Sequence, residues 1–245
     1  MRKKSKKAPD VSVENAETGG RGRKPKSLSL HDLNVIKPMT DAQAQMMESY
    51  FQGYSILATG SAGTGKTIVG LYLALNDLLN KNCKVDKIKI IRSVVPSRDI
   101  GFLPGDLEEK IEVYETPYRE QFTQLFGMPT AYEKFKSFGT IEFMPTSFLR
   151  GQTWDNTVIV VDEVQNLNFH EINTVMTRVG VHSKVLLLGD SEQSDLYKNK
   201  WDCSAMEPLE KILTDNPFFD VVHFTKHDIV RSEFVKAWIC GIEDA

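Results

Sequence analysis

Apolar residues along this chain fall into short β-rich runs that alternate with longer stretches of helical spacing. Five runs predict strands, at 55–59, 87–91, 157–161, 184–188 and 221–224. Helical spacing fills the intervals between and after them, at 67–79, 106–126, 170–179, 206–213 and 231–239. Short apolar strands that alternate with helices are typical of a parallel sheet covered on both faces. The pattern therefore predicts an α/β domain over residues 28–245.

The first 27 residues lack this pattern. They are rich in Lys, Arg, Gly, Pro and Ser, with nine basic side chains against three acidic ones. Because such a segment cannot bury enough apolar surface to offset the entropy of ordering, we expect 1–27 to be a disordered basic arm. The whole chain carries −3, so the arm is about +6 and the remainder about −9. This charge division suits contact with nucleic acid, and it is equally compatible with an inert tail.

Cysteine content and hydropathy favour a reducing compartment. Cys83, Cys203 and Cys240 are odd in number and widely spaced, which indicates neither a disulfide framework nor a zinc site. No apolar run reaches the roughly 20 residues of a membrane helix, and no apolar signal-peptide segment follows the basic start. We therefore expect a cytoplasmic protein without a membrane partner.

Residues 60–67 form the first motif that carries chemistry. They satisfy G-x-x-x-x-G-K-[ST] between a predicted strand and a predicted helix, which is the context of a P-loop. In such a loop the backbone N–H groups face phosphate, the lysine reaches the β- and γ-phosphates, and the threonine hydroxyl binds Mg²⁺. A plain glycine-rich turn is the alternative, although a turn needs no Lys-Thr pair. The predicted site for ATP and Mg²⁺ comprises Gly60, Ser61, Ala62, Gly63, Thr64, Gly65, Lys66 and Thr67.

Two carboxylates follow the apolar run at 157–161. Asp162 and Glu163 would lie at the carboxyl edge of the sheet, where ligands bind in doubly wound folds. The sequence predicts that Asp162 holds Mg²⁺ and that Glu163 orients and deprotonates an attacking water, which a hydrolase requires. The alternative is an acidic pair that ends a strand or caps the next helix.

A similar polar set follows the run at 184–188. Asp190 and Gln193 come after this predicted strand, and the amide of Gln193 could sense an intact γ-phosphate. Taken alone, the segment also fits a strand–turn–helix connection capped by Asp190.

Together these residues resemble the PhoH-like ATPases, particularly the short members encoded by bacteriophages, whose core is related to superfamily 1 helicases. The resemblance runs from about Lys37 to Trp238 and implies a RecA-like P-loop NTPase fold. It implies that Gln43, 17 positions before Gly60, recognises adenine. Its motifs outside the P-loop are at 38–43, 101–110, 150–153, 162–166, 189–196 and 228–231.

The resemblance also implies an oligomeric ATPase that acts on single-stranded nucleic acid, with RNA favoured over DNA. Arg92, Arg98 and Arg150 become candidates for phosphate contact, and Phe102 for base stacking. For the arginines the alternative is a surface ion pair, and for Phe102 it is a place in the core.

Arg231 is the candidate for an arginine finger in a ring-shaped hexamer. The resemblance places it after the last predicted strand, and a finger in trans would stabilise transition-state charge on the ATP of a neighbouring subunit. The alternative is an arginine that pairs with Asp228 or Glu233 at the start of the final helix.

Two other classes of function remain open from the sequence. A deoxynucleoside kinase also combines a P-loop with an Asp-Glu-x-Gln segment, although the three cysteines are too few for the four-cysteine zinc site typical of that class. A regulatory ATP-binding module with slow turnover is the third class.

Overall fold

In a computed structural model, which describes residues 28–94, 107–149, 151–190 and 206–243, the chain forms a six-stranded sheet. All neighbouring strands are parallel, in the order β3-β2-β4-β5-β1-β6. The five predicted strands and the parallel α/β fold are confirmed. The strands are β1 (Ser55–Gly60), β2 (Lys87–Arg92), β3 (Ile141–Pro145), β4 (Thr157–Asp162), β5 (Lys184–Leu188) and β6 (Phe219–Phe224).

Helices occupy every interval in which helical spacing was found. The third predicted helix ends at Met176 rather than at 179, and the last begins at Glu233 rather than at 231. Within the described ranges, no helix is long and apolar enough to span a membrane. The helices are α1 (Asp41–Phe51), α2 (Lys66–Leu79), α3 (Leu107–Phe126), α4 (Ala131–Ser137), α5 (Phe169–Met176), α6 (Met206–Thr214) and α7 (Glu233–Glu243).

The sheet separates two apolar cores. Along β1, Ile56 and Ala58 belong to the core shared with α1 to α4, whereas Leu57 belongs to the core shared with α5 and α6. This alternation is the two-residue period of a strand, and both faces are apolar because helices cover both. The prediction of helices on both faces is confirmed.

Three elements were not predicted from the sequence. The strand β3 alternates buried and exposed residues along Ile-Glu-Phe-Met-Pro, since it is an edge strand with one side chain toward solvent. It therefore lacks the continuous apolar run that marks the inner strands. The helix α1 mixes polar and apolar residues and begins at an N-cap, Thr40, whose side chain accepts a hydrogen bond from the Gln43 N–H. With seven residues, α4 is too short for a periodic pattern.

The topology gathers the polar motifs at one edge of the sheet. Strand β4 lies between β2 and β5, and its register places Arg92 beside Asp162 and Asp162 beside Leu188. Strand β1 lies between β5 and β6, and its carboxyl end leads into residues 60–67. Because parallel strands end at the same edge, the P-loop and the carboxylates come together there.

Candidate functional site

The loop at 60–67 has a backbone that only glycine adopts easily. Gly60, Gly63 and Gly65 have φ values of 122°, 73° and 84°. A Cβ at Gly60 would lie 1.8 Å from the carbonyl oxygen of Phe224, the β6 residue opposite it. Helix α2 begins at Lys66 directly after this loop, with Gly65 as its N-cap. The loop therefore curls over a helix N-terminus, which is the geometry of a phosphate-binding cradle.

The lysine of this loop is held by the loop itself. The Lys66 Nζ donates to the carbonyl oxygens of Gly60 and Ser61 at 2.6 and 2.7 Å. It also donates to the Thr64 hydroxyl at 3.2 Å and lies 5.7 Å from the centre of the Phe224 ring. Only 9% of Lys66 is exposed. The ammonium group is thus fixed within the loop.

A hydrogen bond joins the loop to the carboxylate at the end of β4. The Thr67 hydroxyl donates to Asp162 Oδ1 at 2.9 Å, and the Tyr118 hydroxyl donates to Asp162 Oδ2 at 2.8 Å. Burial raises the pKa of the Asp162 carboxyl, and the charge of Glu163 raises this pKa further. The hydrogen bond from Tyr118, the charge of Arg92 and the hydrogen bond from Thr67 oppose part of this rise because they stabilise the carboxylate, and the pKa stays above its ordinary value.

The donor set around Asp162 fits Mg²⁺. Thr67 and Asp162 supply a hydroxyl and a carboxylate oxygen next to each other, and Mg²⁺ prefers oxygen ligands. Among the described residues, no group of three or more His, Cys, Asp or Glu side chains could hold a metal without help. The Thr67–Asp162 pair suits an ion bound by one or two protein oxygens together with substrate phosphates.

The second carboxylate lies in an unusual backbone position. Glu163 has φ 54° and ψ 46°, the left-handed region that a side chain of its kind rarely adopts. Its Oε2 accepts a hydrogen bond of 2.6 Å from Gln165 Nε2, and its Oε1 lies 3.9 Å from Arg92. The buried Gln165 in turn accepts a hydrogen bond of 3.0 Å from the backbone N–H of Asp190. These contacts hold the Glu163 side chain beside Asp162.

Gln43 lies against the P-loop. Its Oε1 accepts from the Met39 N–H at 2.9 Å, and its Nε2 donates to the Thr64 carbonyl oxygen at 2.9 Å. Because both ends of the amide bind protein groups and the residue is only 3% exposed, Gln43 braces the loop in this structure. Its recognition of adenine stays a prediction from the resemblance.

The segment around Arg231 also reaches the P-loop. The Val230 N–H donates to the Gly63 carbonyl oxygen at 3.1 Å. The Arg231 side chain lies beside Gly63 of its own chain, with its Cγ 3.0 Å and its Nε 3.6 Å from where a Cβ would be. Asp228 accepts hydrogen bonds of 2.9 and 3.0 Å from the backbone and hydroxyl of Thr225. The exposed Arg231 therefore borders the phosphate cradle.

The predicted nucleic-acid residues are only partly described. Arg98, Phe102, Arg150 and Gln193 lie outside the described residues, as does the basic arm at 1–27. The Arg92 guanidinium lies 3.9 Å from Glu163 Oε1, so the structure shows the ion-pair alternative for this residue. Phosphate contact by Arg92 stays a prediction.

Sequence reasoning assigned no role to two residues of this site. Gln165 falls within the motif at 162–166. Its position two residues after Glu163 was the signal that could have identified it as a partner of that carboxylate. Tyr118 lies in the middle of α3, where nothing in the pattern distinguishes it from a core aromatic residue.

Comparison with known proteins places these features in a family. The family described as PhoH-like protein matches residues 35–243. Protein PhoH of Escherichia coli (strain K12) is 32% identical over 203 residues, which are 82% of this chain and 56% of that protein. A PhoH-like protein of Synechocystis sp. is 31% identical over 206 residues, which are 82% of this chain and 60% of that protein. The chain thus spans somewhat more than half the length of these relatives.

A solved structure shares the fold. The large terminase of a thermophilic bacteriophage superposes with a TM-score of 0.50 at 13% identity, over 82% of this chain and 50% of that chain. At this identity the likeness concerns the fold alone.

Proposed function

Since the chain belongs to the PhoH-like protein family, we propose that it is a Mg²⁺-dependent ATPase whose turnover is coupled to single-stranded nucleic acid. The observation that carries this proposal is the hydrogen bond between Thr67 and Asp162, because it joins a phosphate cradle to a buried carboxylate. Glu163 follows directly, where a second carboxylate can act on water. A protein that only binds ATP does not need this second carboxylate.

Each residue of the site has a task in this reaction. The loop N–H groups and the Lys66 ammonium bind the β- and γ-phosphates, and the ammonium exchanges loop oxygens for phosphate oxygens. Thr67 and Asp162 would hold Mg²⁺, and the bound ion would neutralise phosphate charge. Glu163 accepts a proton from the attacking water, and Gln165 fixes the direction of its carboxylate.

Coupling to nucleic acid rests on charge and on the resemblance to superfamily 1 helicases. Arg98, Arg150 and Phe102 are the proposed contacts, and Gln193 is the proposed sensor of the γ-phosphate. RNA is favoured over DNA, and a ring-shaped homo-oligomer is the proposed assembly. These assignments follow the motifs at 101–110, 150–153 and 189–196.

Phosphate release separates this proposal from the two alternatives. The full chain is incubated with ATP and Mg²⁺ alone, with single-stranded RNA, with single-stranded DNA and with deoxynucleosides. A nucleic-acid-coupled ATPase releases phosphate faster with RNA or DNA. Transfer of phosphate to a nucleoside would instead identify a kinase, and slow release that nothing stimulates would identify a regulatory module.

Deleting residues 1–27 is expected to flatten the salt dependence of nucleic-acid binding. The arm carries nine basic side chains, and each phosphate contact releases condensed counterions. Affinity for a single-stranded oligonucleotide, measured across a series of salt concentrations, gives the slope. An unchanged slope would show that the arm does not contact nucleic acid, and equal affinity for unrelated sequences is the accompanying control.

Arg231→Ala is expected to slow hydrolysis, because an added guanidinium stabilises charge on the γ-phosphate. The contact with Gly63 of the same chain favours action on the ATP of its own subunit. Mixing Arg231→Ala with Lys66→Ala subunits tests this arrangement. Co-assembled mixtures should hydrolyse ATP no faster than Arg231→Ala alone if Arg231 acts in cis, whereas recovery of the rate would establish the finger in trans predicted from the sequence.

A further inference from the structure

A buried tyrosine outside the motifs binds the carboxylate proposed to hold Mg²⁺. Tyr118 of α3 is fully buried, and its hydroxyl donates to Asp162 Oδ2 at 2.8 Å. Thr67 donates to the other oxygen, Oδ1, at 2.9 Å. Each oxygen of the carboxylate therefore has its own hydroxyl donor. One donor comes from the P-loop helix α2 and the other from α3.

The tyrosine ring is fixed by its surroundings. Its centre lies 5.7 Å from the centre of the Phe143 ring on β3, and it belongs to the apolar core shared by α1 to α4. The guanidinium of Arg92, at the end of β2, lies near this hydroxyl and interacts with it electrostatically. The packed ring thus holds the Tyr118 oxygen at the carboxylate of Asp162.

A fixed donor at Oδ2 restricts how the carboxylate turns. The terminal torsion of an aspartate is broad, so the bond from Thr67 alone leaves the carboxylate plane free to rotate about that contact. A second donor on the other oxygen selects one plane. Groups that hydrogen-bond to a metal ligand in this way orient it, and their loss typically costs roughly 10- to 100-fold in metal affinity or activity.

We propose that Tyr118 is a positioning residue that sets the orientation of the Asp162 carboxylate for the cation. The inference rests on the proposed Mg²⁺-dependent ATPase function. The hydroxyl touches neither nucleotide nor water in this role, and it acts through Asp162. A purely structural role, in which the hydroxyl only satisfies a buried group, would affect stability without changing the requirement for Mg²⁺.

Tyr118→Phe tests the role because it removes one oxygen and keeps the ring. The Mg²⁺ concentration for half-maximal hydrolysis should rise roughly 10-fold or more. Binding of a fluorescent, non-hydrolysable ATP analogue gives a second readout. The affinity of the variant for the analogue should fall in Mg²⁺ and stay at the wild-type value in EDTA. Asp162 contributes only to the part of binding that depends on the cation.

Tyr50→Phe is the matched control. Tyr50 is also fully buried, and its hydroxyl donates to Asp77 Oδ2 at 2.8 Å. Asp77 also binds Lys184, the first residue of β5, at the edge of the sheet opposite the P-loop. This variant should lower the melting temperature as much as Tyr118→Phe does, or more, and should keep the wild-type Mg²⁺ requirement.

A double-mutant cycle tests whether Tyr118 acts on cation binding by way of Asp162. In the Asp162→Asn background, Tyr118→Phe should cause no further loss of Mg²⁺-dependent analogue binding. An unchanged Mg²⁺ requirement in Tyr118→Phe, or equal changes in Tyr118→Phe and Tyr50→Phe, would overturn the inference. Failure of the ATPase proposal has a different signature: the wild-type chain binds the analogue more tightly with Mg²⁺ yet releases no phosphate from ATP. The binding data then still decide the role of Tyr118.

Discussion

Glu163→Gln should bind ATP as the wild-type chain does and lose most of its hydrolysis. A positioned general base contributes about 10²- to 10⁴-fold to rate, and an amide cannot accept the proton of the attacking water. The amide oxygen can still accept the hydrogen bond from Gln165 Nε2, which now measures 2.6 Å, so the local geometry survives. Analogue binding and single-turnover phosphate release, measured on the same preparation, give the two quantities.

Glu142→Gln is a suitable control for this variant. Glu142 is a carboxylate on the edge strand β3 that pairs with Lys89, and it contacts none of the site residues described above. It should hydrolyse ATP at the wild-type rate. If Glu163→Gln weakened ATP binding and turnover to the same extent, Glu163 would be a structural residue rather than the general base.

Lys66→Ala should abolish measurable turnover and weaken ATP binding. The variant removes the cation that would neutralise the β- and γ-phosphates, and loss of one preorganised group of this kind costs at least about 10²-fold in rate. It also removes the hydrogen bonds to Gly60, Ser61 and Thr64 that hold the loop. Isothermal titration with ATP and Mg²⁺, together with phosphate release, measures both losses.

Lys84→Ala controls for the loss of a positive charge. The exposed Lys84 lies 3.1 Å from His182 and is separate from the loop. If Lys66→Ala and Lys84→Ala both hydrolysed ATP at the wild-type rate, residues 60–67 would not be the site of ATP hydrolysis.

The inner strands were predictable because burial on both faces leaves a continuous apolar run. In β4 every residue from Thr157 to Asp162 is buried, and the sequence shows this directly. The edge strand β3 has only one packed face, so its pattern resembles that of many loops. Helix α1 forms through a local cap at Thr40 and through packing of Met46 and Tyr50, and its mixture of polar and apolar residues does not reveal this packing.

Some residues of the candidate site were predictable from the sequence and others were not. The P-loop is one short segment that contains the glycines at 60, 63 and 65 and the Lys66-Thr67 pair. Its spacing alone therefore identifies it in the sequence. The pairing of Thr67 with Asp162 was also predictable, since parallel strands end at one edge. Tyr118 was not, because it lies in a helix rather than at the end of a strand, and only the packing of α3 on the sheet brings its hydroxyl to Asp162. The place of Arg231 beside Gly63 depends on tertiary structure as well.

Thr67, Asp162 and Lys66 are proposed to form one Mg²⁺-dependent site for hydrolysis of ATP. Phosphate release from ATP by the full chain in Mg²⁺ and in EDTA, with Lys66→Ala purified in parallel, measures this dependence. The wild-type chain should release phosphate in Mg²⁺, and release should fall to background both in EDTA and in the variant. Equal release by the wild-type chain and Lys66→Ala, or release that persists in EDTA, would show that these residues do not form such a site.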